Sequence, residues 1–342
     1  MKQRSKLFRV LGKIEGLPVF GVLLLMFGVF LATAPEVFSH PLIYISFLQT
    51  VPPVLVLGLG LTLVVTAGEI DLSFPAIVAL AGFVFSWFLK NYPDAVWATW
   101  VGFSLALLSG MLVGYLNGLL VAKVRVPSII ATLASQFFWY GITILLANGL
   151  QLNIREVETT GIHQLFTARL FGNIPAQAVW AVALAIFLWF ILNRHKFGEA
   201  IMFIGDNPNV ARVMGINVDV IRIQLFTLMG LIAAFSGLLL TIEINVFFPT
   251  QGQGFLLPVM AAVFIGGTLI SGGYGSIVGT VIGAYLIGSL QAGVVASGIT
   301  SYWVQTVMGL IMATAVALNV SISEGRFSNI RTQIRQWFSR EM

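Results

Sequence analysis

The chain has 342 residues, of which 58% are hydrophobic and 9% charged, with a formal net charge of +5. An ordinary soluble domain carries about 25% charged residues. With a mean hydropathy of +0.95, this chain lacks the charged surface such a domain needs, so it reads as an integral membrane protein, and disorder and nucleic-acid binding are excluded.

Cysteine is absent, which excludes disulfide scaffolds, cysteine nucleophiles and thiolate metal sites. His40, His163 and His195 show no metal-ligand spacing, so no metal site is expected. The apolar stretches are continuous runs of about 18–25 residues, the length of a membrane-crossing helix and not of an alternating barrel strand. The expected fold is all-α and polytopic, with about ten transmembrane helices in a membrane domain over residues 17–320.

Residues 1–16 form a basic head before the first span, 17–34. Head, apolar run and Ala32-Thr33-Ala34 imitate a cleavable leader. The run is long enough to span, however, and Pro35 disfavours cleavage, so a retained helix is expected. A second span covers 43–67. Gly68-Glu69-Ile70-Asp71-Leu72-Ser73 then sets two carboxylates between apolar runs. A carboxylate deep in the bilayer costs about 2.5–3.5 kcal/mol on insertion scales. One reading is a broken helix lining a pathway, with Glu69 and Asp71 available to a ligand. The other is a short cytoplasmic turn in which Asp71 caps the next helix and Pro75 occupies its first turn. The two are compatible if the break lies inside the protein.

Spans 73–89, 95–121 and 127–147 follow. Asn117 is expected to hydrogen-bond between helices. Gln136 lies mid-span in Ser135-Gln136-Phe137-Phe138-Trp139-Tyr140. An amide beside aromatic rings suits a hydroxylated ligand in a pathway; the competing reading is helix packing with interfacial aromatics. After the hydrophilic stretch 148–174 and the span 175–192 comes a polar loop over about 193–219. There Asp206 or Asn207 can cap a short helix, Pro208 fits its first turn and Gly215 ends it. Such a helix either docks into a partner or merely connects two spans.

In the span 220–245, Glu243 and Asn245 lie near the outer end, as pathway lining or as solvated interface. Pro249 through Gly254 reads as an irregular outer loop. Spans 255–270, 276–297 and 302–320 complete the set before a tail at 321–342. Gly275, Gly279 and Gly283 form a small-residue face for close helix packing. No phosphate loop, H-E-x-x-H or G-x-S-x-G occurs, so no catalytic constellation is expected.

With the N-terminus inside, fifteen of the eighteen Lys and Arg fall on inner segments. Lys90, Arg155 and Arg169 fall outside. This asymmetry predicts that both termini are cytoplasmic.

Four blocks in order resemble the permease subunits of bacterial ATP-binding cassette (ABC) importers for ribose-type sugars and autoinducer-2, a family related to the branched-chain amino-acid permeases. They are AGEIDLSFPA (67–76), GYLNGLLVAKVRVPSIIATL (114–133), FGEAIMFIGDNPNVARVMGI (197–216) and MAAVFIGGTLISGGYGSIVGTVIGAYLIG (260–288). The resemblance implies a type II-like importer permease, multi-pass in the bacterial inner membrane and not itself an enzyme. It implies ATP and magnesium on a separate ATP-binding subunit, a periplasmic substrate-binding protein, and a second permease copy or paralogue completing the pore. The solute would be a monosaccharide, polyol or similar small polar molecule. Gly205, Asp206, Asn207, Ala211, Arg212 and Gly215 would belong to a helix coupling the permease to the ATPase. Glu69, Asp71, Gln136, Glu243 and Asn245 are the pathway candidates. An ion- or proton-coupled secondary transporter is the alternative, because intramembrane carboxylates suit proton coupling.

The chain departs from the family pattern where Gly68-Glu69 replaces Gly-Gly, at Tyr140, at Thr241-Ile242-Glu243, and at Leu257 through Met260. The family often carries Arg where Tyr140 stands, a Ser-Arg pair where Thr241-Ile242-Glu243 stands and an acidic residue where Leu257 through Met260 stands. If those charges pair internally in the family, this chain has rewired them together, and if they touch substrate or binding protein, its specificity has moved.

Overall fold

The computed structural model describes residues 16–310 and Ala313, apart from Asp94, Phe171, Ile299 and Ser301. The basic head and the tail 321–342, along with the end of the span expected at 302–320, lie outside or largely outside the described residues. Six helices among the described residues are long and apolar enough to cross a membrane. They are α5 (Phe74–Asn91), α6 (Val96–Leu119, continued by a π turn to Val124), α7 (Ser128–Leu146), α9 (Ala176–Arg194), α12 (Val218–Ile244) and α14 (Ile277–Ala296). Of the other expected spans, those at 43–67 and 255–270 are broken or short.

The span expected at 43–67 is two helices, α3 (Pro41–Thr50) and α4 (Pro52–Thr66), bent by 49°. Pro52 and Pro53 donate no backbone N–H, so two successive helical hydrogen bonds are missing where α3 meets α4. α4 is buried around its whole circumference, as expected of a helix that is apolar on every face. It packs against α9, α12, α14 and the short α13 (Leu256–Ile265). The first span is α1 (Leu17–Thr33), lying along α14 with Phe30 against Gly293. α2 (Pro35–Phe38) joins it to α3.

α13 corrects the span expected at 255–270. Ten residues of helix reach about 15 Å, half of a hydrocarbon core of about 30 Å. Pro249 through Gly254 is irregular, as expected, with Thr250, Gln253 and Gly254 exposed, but Gln251 is buried, and its Nε2 donates to Val78 O at 3.1 Å and to Thr241 Oγ1 at 2.9 Å. The inserted amide thereby joins the irregular segment to α5 and α12. Gly252, at φ +90°, lets the chain pass against Pro75 O.

The expected glycine face is present for two of its three residues, Gly275 lying before the helix. Gly279 and Gly283 of α14 meet the backbone of Gly266 and Ala262, and Gly275 meets the Thr66 side chain. A second such face, unread in the sequence, joins Gly110 and Gly114 of α6 to α12, where a side chain would strike Gly230 O and Phe226 O.

At one end of the bundle, residues 148–174 form a small cap. β1 (Leu152–Asn153) pairs with β4 (Val246–Phe247), and β2 (Arg169–Leu170) with β3 (Ile174–Pro175). The cap also holds the short α8 (Gly161–Phe166) and a 3-10 turn at Arg155–Thr159. At the other end, α10 (Lys196–Asp206) and α11 (Pro208–Val213) lead from α9 into α12.

Candidate functional site

The break between α4 and α5 organises one end of the bundle. Gly68, at φ +75°, turns the chain out of α4 in the left-handed region that glycine adopts freely. The next residues are non-helical, so their N–H groups need partners. α7 supplies them from one face: Ser128, Thr132 and Gln136 recur every four residues, the spacing of a helical stripe. Ile70 N–H donates to Ser128 Oγ at 3.1 Å and Leu72 N–H to Thr132 Oγ1 at 3.0 Å. Ala76 N–H donates to Gln136 Oε1 at 2.9 Å. The amide oxygen of Gln136 is thus engaged in holding the first turn of α5.

Asp71 is wholly buried. Its Oδ1 accepts from Ser73 N–H at 2.7 Å and Ser73 O–H at 2.6 Å. This corrects the expected cap. Ser73, already helical in backbone, holds the N-cap position without a side-chain cap bond, and Asp71 closes a tight turn two residues earlier. Pro75 does occupy the first turn of α5. Asn117 Nδ2 donates to Ser73 Oγ at 2.8 Å, the expected interhelical bond. Asp71 Oδ2 has no partner among the described residues.

Glu69 is ion-paired. Arg222, at the start of α12, reaches Glu69 Oε1 at 2.7 Å, with side-chain exposures of 20% and 9%. The carboxylate that replaces glycine here is therefore met by an internal partner. Removing one member of such a pair strands the other charge. Arg222→Met is expected to lower the unfolding free energy by about 2 kcal/mol, a buried-pair cost reduced for partial exposure. Denaturant unfolding in detergent checks this, and adding Glu69→Gln should recover most of the loss.

Glu243 and Asn245 lie at the far end of α12, about 30 Å along its axis from Arg222. Glu243 is half-buried. Asn245 turns left-handed at φ 57°. Its Nδ2 donates to Glu158 and its carbonyl accepts from Ile154 N–H at 2.9 Å, tying the cap to α12. The five pathway candidates thus form two groups: Glu69, Asp71 and Gln136 at the break, Glu243 and Asn245 beneath the cap. Gln251 and Thr241 lie between them, inserted against α5.

The block 193–219 is two helices, not one. Asn207 separates them and caps α11, its Oδ1 accepting from Asn209 N–H at 2.9 Å and Val210 N–H at 3.2 Å. Asp206 instead ends α10. Gly215, at φ +86°, closes the block. Ala211 is buried beside Ile204 and Val218, while Val210, Met214 and Val213 project outward, Val213 at 88% exposure. Arg212 bonds Asn209 and lies 3.7 Å from Asp219. Asn207→Ala is expected to cost about 1 kcal/mol locally, read as roughly fivefold faster amide exchange at Asn209 and Val210.

Gly205 fastens this block to the breaks. A Cβ there would sit 1.9 Å from Thr66 O and 2.3 Å from Gly273 N. Those two atoms are themselves hydrogen-bonded at 2.8 Å. The end of α10 therefore touches both the α4–α5 break and the glycine-rich turn between α13 and α14. Ser128, Thr132, Arg222 and Gln251 were not singled out from sequence. The first two had a readable signal in their four-residue spacing with Gln136; the others had none.

Comparisons with known proteins bear on this arrangement. The family model described as "Branched-chain amino acid transport system / permease component" matches residues 43–316. The chain is 33% identical to the ribose import permease protein RbsC of Bacillus subtilis (strain 168) over 282 residues, 82% of this chain and 86% of the relative. It is 34% identical to the fructose import permease protein FrcC of Rhizobium meliloti, covering 80% and 76% of the two chains. It is 30% identical to the autoinducer 2 import system permease protein LsrC of Escherichia coli O9:H4 (strain HS), covering 82% and 79%. No solved structure matches the chain.

Proposed function

Because this chain belongs to the family of branched-chain amino acid transport system permease components, we propose a reading of its two ends as the working parts of an importer. The chain is the multi-pass, non-catalytic permease subunit of an ABC importer in the bacterial inner membrane. ATP-binding and substrate-binding partners go with that role. The relatives named for ribose, fructose and autoinducer-2 support a monosaccharide or similar polar solute as its cargo.

In this reading the chain crosses the membrane about ten times with both ends in the cytoplasm, counting bent and half helices. ATP and magnesium bind the partner ATPase, and a second permease copy or paralogue completes the pore. α11, with the end of α10, is the coupling element: Gly205, Asp206, Asn207, Ala211, Arg212 and Gly215 shape and seat it.

The observation that carries this assignment is the exposed apolar tip of α11. Val210, Val213 and Met214 project from a six-residue helix on the Lys- and Arg-rich side. An apolar tip outside the membrane needs a partner groove to cover it. Its root touches both helix breaks through Gly205, so movement of the tip reaches Gly68 and Gly273 directly. Asp71, with Glu69 and Gln136, lines the inner part of the route, and Glu243 and Asn245 the outer part. Unwound backbone at membrane depth is tolerated where it lines a cavity or is buried in protein. Alternating access then follows if ATP-driven closure displaces α11 and the two breaks shift with it. The ligand affinity of the route must differ between the two states for solute to move the balance.

Mild-detergent purification from native membranes, with mass spectrometry and an ATPase assay, tests the assembly. Co-purifying ATP-binding subunits are the expected result, and their stoichiometry reports whether a paralogous permease is present. Recovery of the chain alone, under conditions that keep a known importer intact, would overturn the reading.

A further inference from the structure

Beside the Glu69–Arg222 pair lies a cavity of about 440 Å³, bordered by Arg125, Arg212, Arg222, Glu69, Pro127 and Ser128. Its lining thus includes three arginines and a single acidic residue, Glu69. Asp219 is the other acidic group near this wall, shared between Arg212 at 3.7 Å and Lys123 at 3.5 Å. The cavity is left with an excess of positive charge. Arg125 has no ion pair among the described residues. Its own backbone is held at φ 65° by the π turn that ends α6, a conformation an arginine adopts at some cost. Arg222 Nε is buried and unpartnered among the described residues, although the same guanidinium reaches Glu69.

The cavity wall also contains the start of α7. Its N-cap is Pro127, and no side chain caps the nineteen-residue helix. The first N–H groups of a helix and its dipole both favour an anion there. Ser128 Oγ accepts from Ile70 N–H, leaving its O–H to donate. Guanidinium forks, helix N–H groups and a serine hydroxyl are the donor set that fits a tetrahedral oxyanion with several acceptor oxygens.

We propose that this cavity binds a phosphate group, and that the bound phosphate competes with Glu69 for Arg222. Glu69 is then the built-in occupant of a site made for a stronger anion, and binding loosens the α4–α5 break from α12. On the cytoplasmic side, which rests on the orientation proposed above, two sources share this chemistry: an anionic lipid headgroup and a soluble phosphomonoester. The binding itself does not depend on the importer reading, because the purified chain suffices to measure it.

The test uses the full chain in phosphatidylcholine nanodiscs, titrated calorimetrically with glycerol 3-phosphate at about 0.15 M salt, where long-range attraction is screened. A second arm measures retention of phosphatidylglycerol over phosphatidylcholine by native mass spectrometry. Loss of one charged hydrogen-bond donor predicts about tenfold weaker binding in Arg125→Gln. Removing the competitor predicts about tenfold tighter binding in Glu69→Gln. The opposite signs separate the proposal from misfolding, which would weaken both. Saturable glycerol 3-phosphate binding with this pattern assigns a soluble ligand. Selective phosphatidylglycerol retention with the same pattern, and no soluble binding, assigns a lipid. Absence of both, or binding that neither variant changes, would overturn the proposal.

Discussion

Val213→Asp is expected to reduce solute uptake by about a hundredfold while leaving the chain folded. The side chain is 88% exposed, so its replacement should alter the unfolding free energy by no more than about 0.5 kcal/mol, as for other unconstrained surface positions. Its cost falls on the docked state. An apolar anchor buried at the centre of an interface is worth about 2–4 kcal/mol, and a carboxylate forced into the same groove adds desolvation without a partner. About 2.7 kcal/mol corresponds to the hundredfold loss. The checks are uptake in cells, co-purification of the ATP-binding subunit, and denaturant unfolding of the isolated chain. Normal uptake with Asp at this position would remove α11 from the coupling role. Lost uptake with an unstable chain would instead point to a structural role that the exposure argues against.

The parts of this protein legible in the sequence are those fixed by local chemistry. Composition and run length showed a helical membrane protein. Asn207, Pro208 and Gly215 carried the shape of α11, because capping, N1 proline and left-handed glycine act within a few residues. The glycine face of α14 was legible for the same reason, by spacing on a single helix. What failed involved the third dimension. A run of apolar residues does not reveal that α3 and α4 bend, although Pro52 and Pro53 marked the place. Pro249 through Gly254 is the irregular loop its composition suggests, but nothing local shows that Gln251 turns inward to Thr241 and Val78 O. Asp71 beside Ser73 suggested a cap; the outcome depended on Asn117 and α7 engaging the same few atoms. Glu69 and Arg222 belong to elements far apart in the chain, and no local spacing joins them. The resemblance flagged Glu69 as a departure, and the structure meets its charge inside the protein.

The second large effect is expected at Gly205, and a contrast with Gly215 isolates its cause. Both glycines flank α11, yet the sequence gives them no different rank. Gly215 stands at φ +86° with open space where a side chain would go. Its substitution by alanine costs only the left-handed backbone, about 1 kcal/mol. Gly205 has no such backbone demand; its constraint is contact. A methyl group there would lie 1.9 Å from Thr66 O and 2.3 Å from Gly273 N, both main-chain atoms that cannot rotate away. Gly205→Ala should therefore destabilise by about 3 kcal/mol, the upper range for overpacking, or push α10 off the breaks. In the second case the chain stays folded but the Thr66–Gly273 junction loosens, with faster amide exchange at Gly273 and uptake lost although α11 still binds the ATPase. Equal, small effects of Gly205→Ala and Gly215→Ala on stability, exchange and uptake would show that α10 does not bear on the breaks, and movement of α11 would need another route to the membrane helices.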